Sequence, residues 1–328
     1  MKTVLLTGGA GFVGHHIAGH LLFNTDWNIV FLDRLDFSGS LNRISEIRDF
    51  EKRKPRMKFV FHDLKAEINS QLAAHIGKID YIIHTAASTH VDRSIKNPLS
   101  FVYDNVVGTA NLLEYARKAD IEQFIYLGTD EVFGPAEEGV QYKEWDRYKS
   151  GNPYAATKAG AEELCIAYNN TYKLPMRICH SMNIFGERQH PEKFIPMTIA
   201  NTRGRKIVTI HADPTKTIAG SRFYIHARNV ADAILFILQN GKDGEKYNVA
   251  GEEEVSNLDL AKKIAEAQNT TLLYEMVNFH SARPGHDLRY ALDSSKIRAL
   301  GWTPKVSFEN SLAETIRWTL ANPRWLLG

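Results

Sequence analysis

Tyr154 and Lys158 stand four residues apart in Pro153-Tyr-Ala-Ala-Thr-Lys158, and two adjacent acids, Asp130 and Glu131, directly follow Thr129. On a helix, positions four apart share one face. A tyrosine titrates near ~10, so using it as a base near neutrality requires roughly 4 kcal/mol of selective stabilisation of the phenolate. A lysine ammonium ~4 Å away at an effective dielectric of ~20 supplies about that much. Such a pair takes the proton of an alcohol. Two neighbouring carboxyl groups are costly unless used, and at a cleft they can divide into an acid and a base, the pair that elimination of water requires. The plain alternatives are a surface Tyr–Lys pair and two solvated loop acids.

A second set of residues places a cofactor beside them. Gly8-Gly-Ala-Gly11-Phe12-Val13-Gly14 follows a β-branched run and opens an amphipathic stretch. Spaced glycines in that context let backbone N–H groups approach a pyrophosphate at a helix N-terminus. About 20 residues on, a second apolar run ends in Asp33, where a carboxylate holds the adenosine ribose hydroxyls and repels a 2′-phosphate. That order of features favours NAD over NADP, and Arg34 next to the acid works against the preference. A glycine turn packed for steric reasons alone does not require the acid in that place.

The elements that must carry these residues alternate. The spacing predicts strands at Thr3–Thr7, Asn28–Asp33, Lys58–His62, Tyr81–His84, Gln123–Gly128 and Met176–Ser181. It predicts helices at Gly11–Leu22, Leu99–Ala119, Pro153–Thr171, Asn229–Gln239, Leu258–Gln268 and Phe308–Ala321. This is an α/β chain, a Rossmann-like doubly wound parallel sheet with a smaller mixed α/β C-terminal part. Residues 1–182 form the cofactor-binding domain and 183–328 the mainly substrate-binding one, with about 222–250 as a segment that can return to the first. Glu46–Arg56, with its Lys-Arg-Lys-Pro run, reads as a solvated helix end and loop.

Composition excludes several classes. The chain has 328 residues, 40 Lys+Arg against 38 Asp+Glu and two cysteines. A chain this long buries a full core without staples. Cys165 and Cys179 sit in apolar runs with no CxxC pattern, so they read as reduced core thiols of a cytoplasmic protein, and no metal site is expected. Balanced, dispersed charge leaves no footprint for nucleic acid or an anionic membrane. No apolar run has the ~20 residues that a membrane span needs.

The glycine spacing together with Tyr154-Ala-Ala-Thr-Lys158 resembles the extended short-chain dehydrogenase/reductase family, and the resemblance runs the length of the chain. Its companions are His62-Asp63-Leu64, Ala86-Ala87, Asn105-Val-Val-Gly-Thr109 and Thr129. The resemblance implies that Asp63 and Leu64 lie near the adenine, that Ala86, Ala87 and Asn105 line the cofactor, and that Thr129, Tyr154 and Lys158 form the redox trio. Gly128-Thr-Asp-Glu-Val-Phe-Gly134 is similar to the active-site segment of the nucleoside-diphosphate-sugar 4,6-dehydratases, the dTDP-glucose enzymes above all. Ser88–Ile95, Pro191–Pro196 and Arg283-Pro-Gly-His-Asp287 agree with that family too. The resemblance implies a 4-keto-6-deoxy sugar nucleotide as product. In its terms Glu131 removes the C5 proton, Asp130 protonates the departing C6 oxygen, and hydride lent from C4 returns to C6.

A nucleotide sugar carries a diphosphate, which calls for cations and amides. The resemblance implies Ser88, His90, Asn183, Lys193, Phe194, Arg222, Arg283 and His286 as substrate-binding residues, any one of which could instead be a surface charge or structural contact. Ser88 stands where an acid is usual, Asp104 where Thr is usual, Phe133 where Tyr is usual, and His211–Ser221 is several residues longer than its counterpart. These departures leave the nucleotide base and the sugar open. Helices Leu99–Ala119 and Pro153–Thr171 carry apolar residues on more than one face, including Phe101, Val102, Val106, Leu112, Leu113 and Tyr115 on the first and Leu164, Ile166, Ala167 and Tyr168 on the second. The resemblance implies a homodimer through a four-helix contact. Rival readings are a UDP-sugar 4,6-dehydratase, a 4-epimerase, a UDP-glucuronate decarboxylase, or a binding protein that kept the fold without the catalysis.

Overall fold

A computed structural model describes residues 1–279 and 288–327. Seven strands form one parallel sheet: β1 Thr3–Thr7, β2 Asn28–Asp33, β3 Met57–Phe61, β4 Tyr81–His84, β5 Gln123–Thr129, β6 Met176–Ser181 and, after four short strands, β11 Lys246–Val249. The short strands are β7 Ile184–Phe185, β8 Val208–Ala212, β9 Ser221–Arg222 and β10 Ile225–His226. The sheet order is β11-β6-β5-β4-β1-β2-β3. The order reverses between β1 and β4, so both chain halves leave a crevice there at the strands' C-terminal ends. β3 begins and ends one residue earlier than the spacing predicts, although His62 N–H still reaches Asp33 O at 3.1 Å.

Period-two alternation sorts the strand side chains onto two buried faces. Val4, Leu6, Ile29 and Phe31 meet the helices Phe12–Asn24 and Ala227–Asn240 through Ile17, Leu21, Val230 and Ile234. Leu5, Val30, Ile82 and Phe124 meet the helices Gly108–Lys118 and Pro153–Tyr172 through Leu112, Ala116, Ala161 and Cys165. Both cysteines are free and buried. A third apolar cluster joins Phe185, Ile199, Tyr224, Leu260, Phe308 and Leu312 under the C-terminal helices Phe194–Arg203, Asn257–Ala267 and Phe308–Ala321. Two further strands complete this part: β12 Val255–Ser256 pairs antiparallel with β9, and β13 Tyr274–Asn278 pairs parallel with β8.

Several segments depart from expectation, among them β11 and the helix Phe194–Arg203, which the spacing does not predict. The helix expected over Leu99–Ala119 runs from Pro98 to Lys118, and within it Val102–Val107 winds as a π-helix that carries Asp104 and Asn105. The basic run is a solvated helix end as expected at Lys52, Lys54 and Pro55, but two of its arginines are engaged. Arg53 and Arg56 both donate to Leu22 O, and Arg56 also donates to Thr25 O at 2.9 Å and Trp27 O at 3.0 Å. They satisfy carbonyls left open where the Phe12–Asn24 helix ends.

Candidate active site

β1 delivers the chain to the glycine turn. Gly8 has φ +67°, and a Cβ there would lie 2.7 Å from Ala86 N, so only glycine lets β1 and β4 exit side by side. A Cβ on Gly14 would lie 2.3 Å from Gly8 O. The following helix has Gly11 as its N-cap with no side-chain cap, which leaves the first-turn amides facing a cleft lined by Gly11, Phe12, Val13 and Gly14. An uncapped N-terminus in a cleft is a ready anion site.

The cleft has two connected parts that share Gly8, Gly11, Ser38, Thr85 and Ala87. The smaller, about 100 Å³, is lined by Asp33, Arg34, Asp36, Asp63, Leu64, Ala86, Ser88 and Asp104. Asp33 ends β2 there, and its two oxygens accept from Ala10 N and Leu35 N, each at 2.9 Å. The larger part, about 330 Å³, holds Thr129, Asp130, Glu131, Tyr154, Lys158, Asn183, Lys193 and Phe194. Two compartments joined at a glycine turn, with an acid at the far end and an uncapped helix between, fit a dinucleotide. Its reactive end would lie toward Tyr154.

β5 ends at Thr129, whose hydroxyl accepts from Glu131 N and turns the chain so that both acids enter the cleft side. Their surroundings differ. Asp130 is buried; Thr129 Oγ1 donates to its Oδ1 at 3.1 Å, while Oδ2 has no partner among the described residues. Burial and then the neighbouring Glu131 push its pKa up to about 7, against the pull of Arg222. Asp130 is therefore placed to hold a proton. Glu131 Oε2 instead accepts from Asn152 Nδ2 at 3.2 Å. Asn152 is the N-cap of the Pro153–Tyr172 helix, and its Oδ1 accepts from Ala155 N at 2.9 Å, which fixes the amide's orientation.

Tyr154 and Lys158 lie on the first two turns of that helix, as their spacing predicts. Their electrostatics differ from expectation. Burial, then Glu131, push the Tyr154 pKa up, and the hydrogen bond with Thr129 opposes them. Lys158 donates to Leu127 O at 2.7 Å and stands 4.1 Å over the Tyr126 ring, with burial pulling its pKa down to about 8. As placed, the Lys158 ammonium is spent on the Leu127 carbonyl near the end of β5.

Several expected residues sit elsewhere. Asn105 does not line the cleft: it is buried, accepts from Ser88 N and donates to Ser88 O and Thr157 Oγ1. Ser88 lines the small compartment instead of the larger one, and its hydroxyl donates to Asp104 at 2.6 Å. The two residues noted as departures from the resembled pattern, Ser88 and Asp104, thus face each other. His90 is held 3.3 Å from Glu192 and is not among the lining residues. Arg222 donates to Ser221 O and Leu288 O and lies 4.6 Å over the Tyr290 ring, acting on Asp130 through its charge. The long segment before it closes as a hairpin around Asp213, which accepts from the N–H groups of Thr215, Thr217 and Ile218, and none of residues 211–221 lines the cleft. Arg283 and His286 lie outside the described residues.

Sequence reasoning missed Asn152 and Arg43. Asn-Pro at a helix start is a capping signal that points to the first. Arg43, buried against the cleft and donating to Ala10 O, Ser38 O and Arg188 O, had no sequence signal.

Residues 5–315 match the family model described as GDP-mannose 4,6 dehydratase. The chain belongs to this family. It is 38% identical over 320 residues to the low-salt glycan biosynthesis protein Agl12 of Haloferax volcanii, covering 97% of this chain and 99% of that one. It is 37% identical over 329 residues to the dTDP-D-glucose 4,6-dehydratase of Bos taurus, covering 98% and 89%. The crystal structure of DesIV, a dTDP-glucose 4,6-dehydratase from Streptomyces venezuelae with NAD bound, superposes with TM-score 0.90 at 34% identity, covering 99% of both chains. The extended-family α/β fold is thereby established for this chain, and no helix among the described residues is long and apolar enough to cross a membrane.

Proposed function

We propose that this dehydratase-family chain is an NAD-dependent nucleoside-diphosphate-hexose 4,6-dehydratase that converts a dTDP-glucose-like substrate to its 4-keto-6-deoxy form. One observation carries the reading. Beside Tyr154 and Lys158, two adjacent acids have opposite surroundings: Asp130 buried with an open oxygen, Glu131 held by an amide donor. A 4-epimerase has no use for that division, because it neither removes a C5 proton nor expels a C6 oxygen.

Bound NAD supplies the hydride acceptor for C4, the hydride donor for C6, and a positive ring beside the phenol. Tyr154 Oη takes the proton of the 4-hydroxyl, steadied by Thr129. The ketone so formed acidifies C5–H, and Glu131 takes that proton. Asp130 gives its proton to the C6 oxygen, which leaves as water. Glu131 returns a proton to C5 as C6 is reduced. One proton gained by Tyr154 balances the one lost by Asp130, so exchange with solvent resets both. Lys193 and Asn183 at the wide end of the cleft suit the substrate's diphosphate.

The same reading gives residues 1–182, with the returning segment of about 222–250, to the cofactor and the remainder of 183–328 mainly to the sugar nucleotide. It places the protein in the cytoplasm. It also makes the chain a homodimer. Phe101, Leu112, Leu113 and Tyr115 are spent in the chain's own core, but Leu99 (66% exposed), Tyr103 (54%) and Tyr172 (51%) leave an apolar surface on the same two helices.

Incubation with dTDP-glucose, UDP-glucose and UDP-N-acetylglucosamine in heavy water, followed by mass spectrometry, tests the reading. Loss of one water with one deuteron at C5 is expected for one of them. Unchanged mass with an epimerised sugar refutes it. Glu131→Gln should still oxidise C4 while C5 exchange stops.

A further inference from the structure

Arg34 is the first residue after β2, where an arginine in a dinucleotide fold commonly receives a 2′-phosphate. Here the guanidinium is already engaged. Nη1 and Nη2 form a fork with the Asp104 carboxylate at 2.6 and 3.0 Å. Nε and Nη2 hold Asp36 at 3.1 and 2.8 Å, and Asp63 stands 3.6 Å from Nη1. Asp104 is itself fixed, since Ser88 Oγ donates to its Oδ2 and the next residue, Asn105, is buried with its amide bonded to Ser88 N and O. Among the described residues, the lining of the small compartment sets four carboxylates, Asp33, Asp36, Asp63 and Asp104, against the Arg34 guanidinium, with Lys65 Nζ 3.2 Å from Asp63 outside it.

We infer that Asp104 is a specificity-determining residue: by sequestering Arg34 it makes the compartment reject a dinucleotide that carries a 2′-phosphate. The inference deepens the cofactor part of the function proposed above and is independent of the sugar chemistry. Asp33 does not do this alone, because both of its oxygens already accept backbone N–H groups that offset part of its charge. A 2′-phosphate arriving here gains a cation only by breaking a two-bond, charge-assisted fork that is three-quarters shielded from solvent on the arginine side, with side-chain exposures of 27% for Arg34 and 11% for Asp104. The extra carboxylate comes from a helix far along the chain, which is why the glycine turn and Asp33 do not disclose it.

Equilibrium dialysis of NAD and NADP against the natural chain, Asp104→Asn, Asp104→Thr, Arg34→Gln and the double variant Arg34→Gln/Asp104→Asn decides the matter. The natural chain is expected to prefer NAD by about 100-fold or more, and Asp104→Asn to narrow that preference about tenfold by tightening NADP, with NAD affinity within about threefold. Asp104→Thr, which removes the carboxylate with a smaller side chain, should act alike. In the double variant the preference should return, since the guanidinium that Asp104 held is gone. An unchanged ratio in both single Asp104 variants overturns the inference, and so does a narrowing that survives the loss of Arg34, because the effect then belongs to charge removal alone. A natural chain that binds neither dinucleotide overturns the cofactor reading beneath it.

Discussion

Replacing Asp130 by asparagine should stabilise the folded chain at pH 8 relative to pH 5, although the residue lines the candidate active site. In the unfolded chain an aspartate titrates near 3.8, and in the fold this one is pushed up to about 7. Between those values the folded chain keeps a proton that the unfolded chain has lost. Its stability is therefore full below pH 3.8, declines as pH rises, and levels off once pH passes the folded value near 7. The full difference corresponds to a ceiling of about 4 kcal/mol, of which roughly 2–3 kcal/mol falls between pH 5 and pH 8. Asparagine has the same shape and no charge to desolvate, so it is exempt from that decline. Any fixed cost of the substitution, such as a weaker bond to Thr129, is the same at every pH and drops out of the comparison. Cofactor-free protein of both kinds, unfolded by urea or heat at pH 5, 6, 7 and 8, should show midpoints that diverge with pH in favour of Asp130→Asn. At about 1.5 °C per kcal/mol for a chain of 328 residues, the gap in midpoint should widen by roughly 3–5 °C. Parallel curves would falsify the account, because they would mean that Asp130 is ionised in the fold at pH 8 at no cost and is not the proton donor.

Two further outcomes follow from the same geometry. Asn152→Ser keeps a helix cap but removes the amide donor to Glu131, so C5 proton exchange should slow by about 10–100-fold, the worth of one charge-assisted hydrogen bond, while the transient formation of NADH at C4 oxidation stays intact. An equal loss in both steps, measured by stopped-flow absorbance and deuterium incorporation, would remove Asn152 from the base's support. Gly14→Ala sets a Cβ 2.3 Å from Gly8 O, and direct titration with NAD should show affinity reduced by about 100-fold or more. Near-natural affinity would mean that the turn can shift without losing the pyrophosphate site.

Much of the sheet was legible because its central strands are buried on both faces and read as apolar runs bounded by turn residues; the edge strand β3 is half-exposed, and β11, Lys246–Val249, was not read from the pattern. Thr3–Thr7, Asn28–Asp33, Tyr81–His84 and Met176–Ser181 fall where the pattern puts them. The candidate catalytic cluster was legible for a different reason: Thr129, Asp130 and Glu131 are consecutive, and Tyr154 and Lys158 are one helical turn apart, so local spacing already brings them to one cleft. What escaped depends on partners distant in sequence. Arg53 and Arg56 look solvated until the helix end at Leu22 is seen to need their N–H groups. Ser88 and Asp104 look like two unrelated substitutions until they are found bonded to each other. The π-helical winding at Val102–Val107 has no signature in apolar periodicity, and it turns Asn105 away from the cleft into the protein. Lys158 escaped in its electrostatics, since a one-turn separation fixes a face and leaves open which acceptor on β5 takes the ammonium.

β11 closes the parallel sheet from a position long after β6 in the chain. For a ribosome making this protein, the edge of β6, Met176–Ser181, emerges and then waits for Lys246–Val249 on the order of several seconds at about 5–20 residues per second. During that interval a buried strand is an open edge, able to pair with any other nascent chain. A gene fragment ending at residue 182 would make that interval permanent. The cofactor half is consequently no portable module: fusions, split reporters and truncations that stop before Val249 are expected to precipitate, and an interruption that leaves the sheet whole must be placed beyond it.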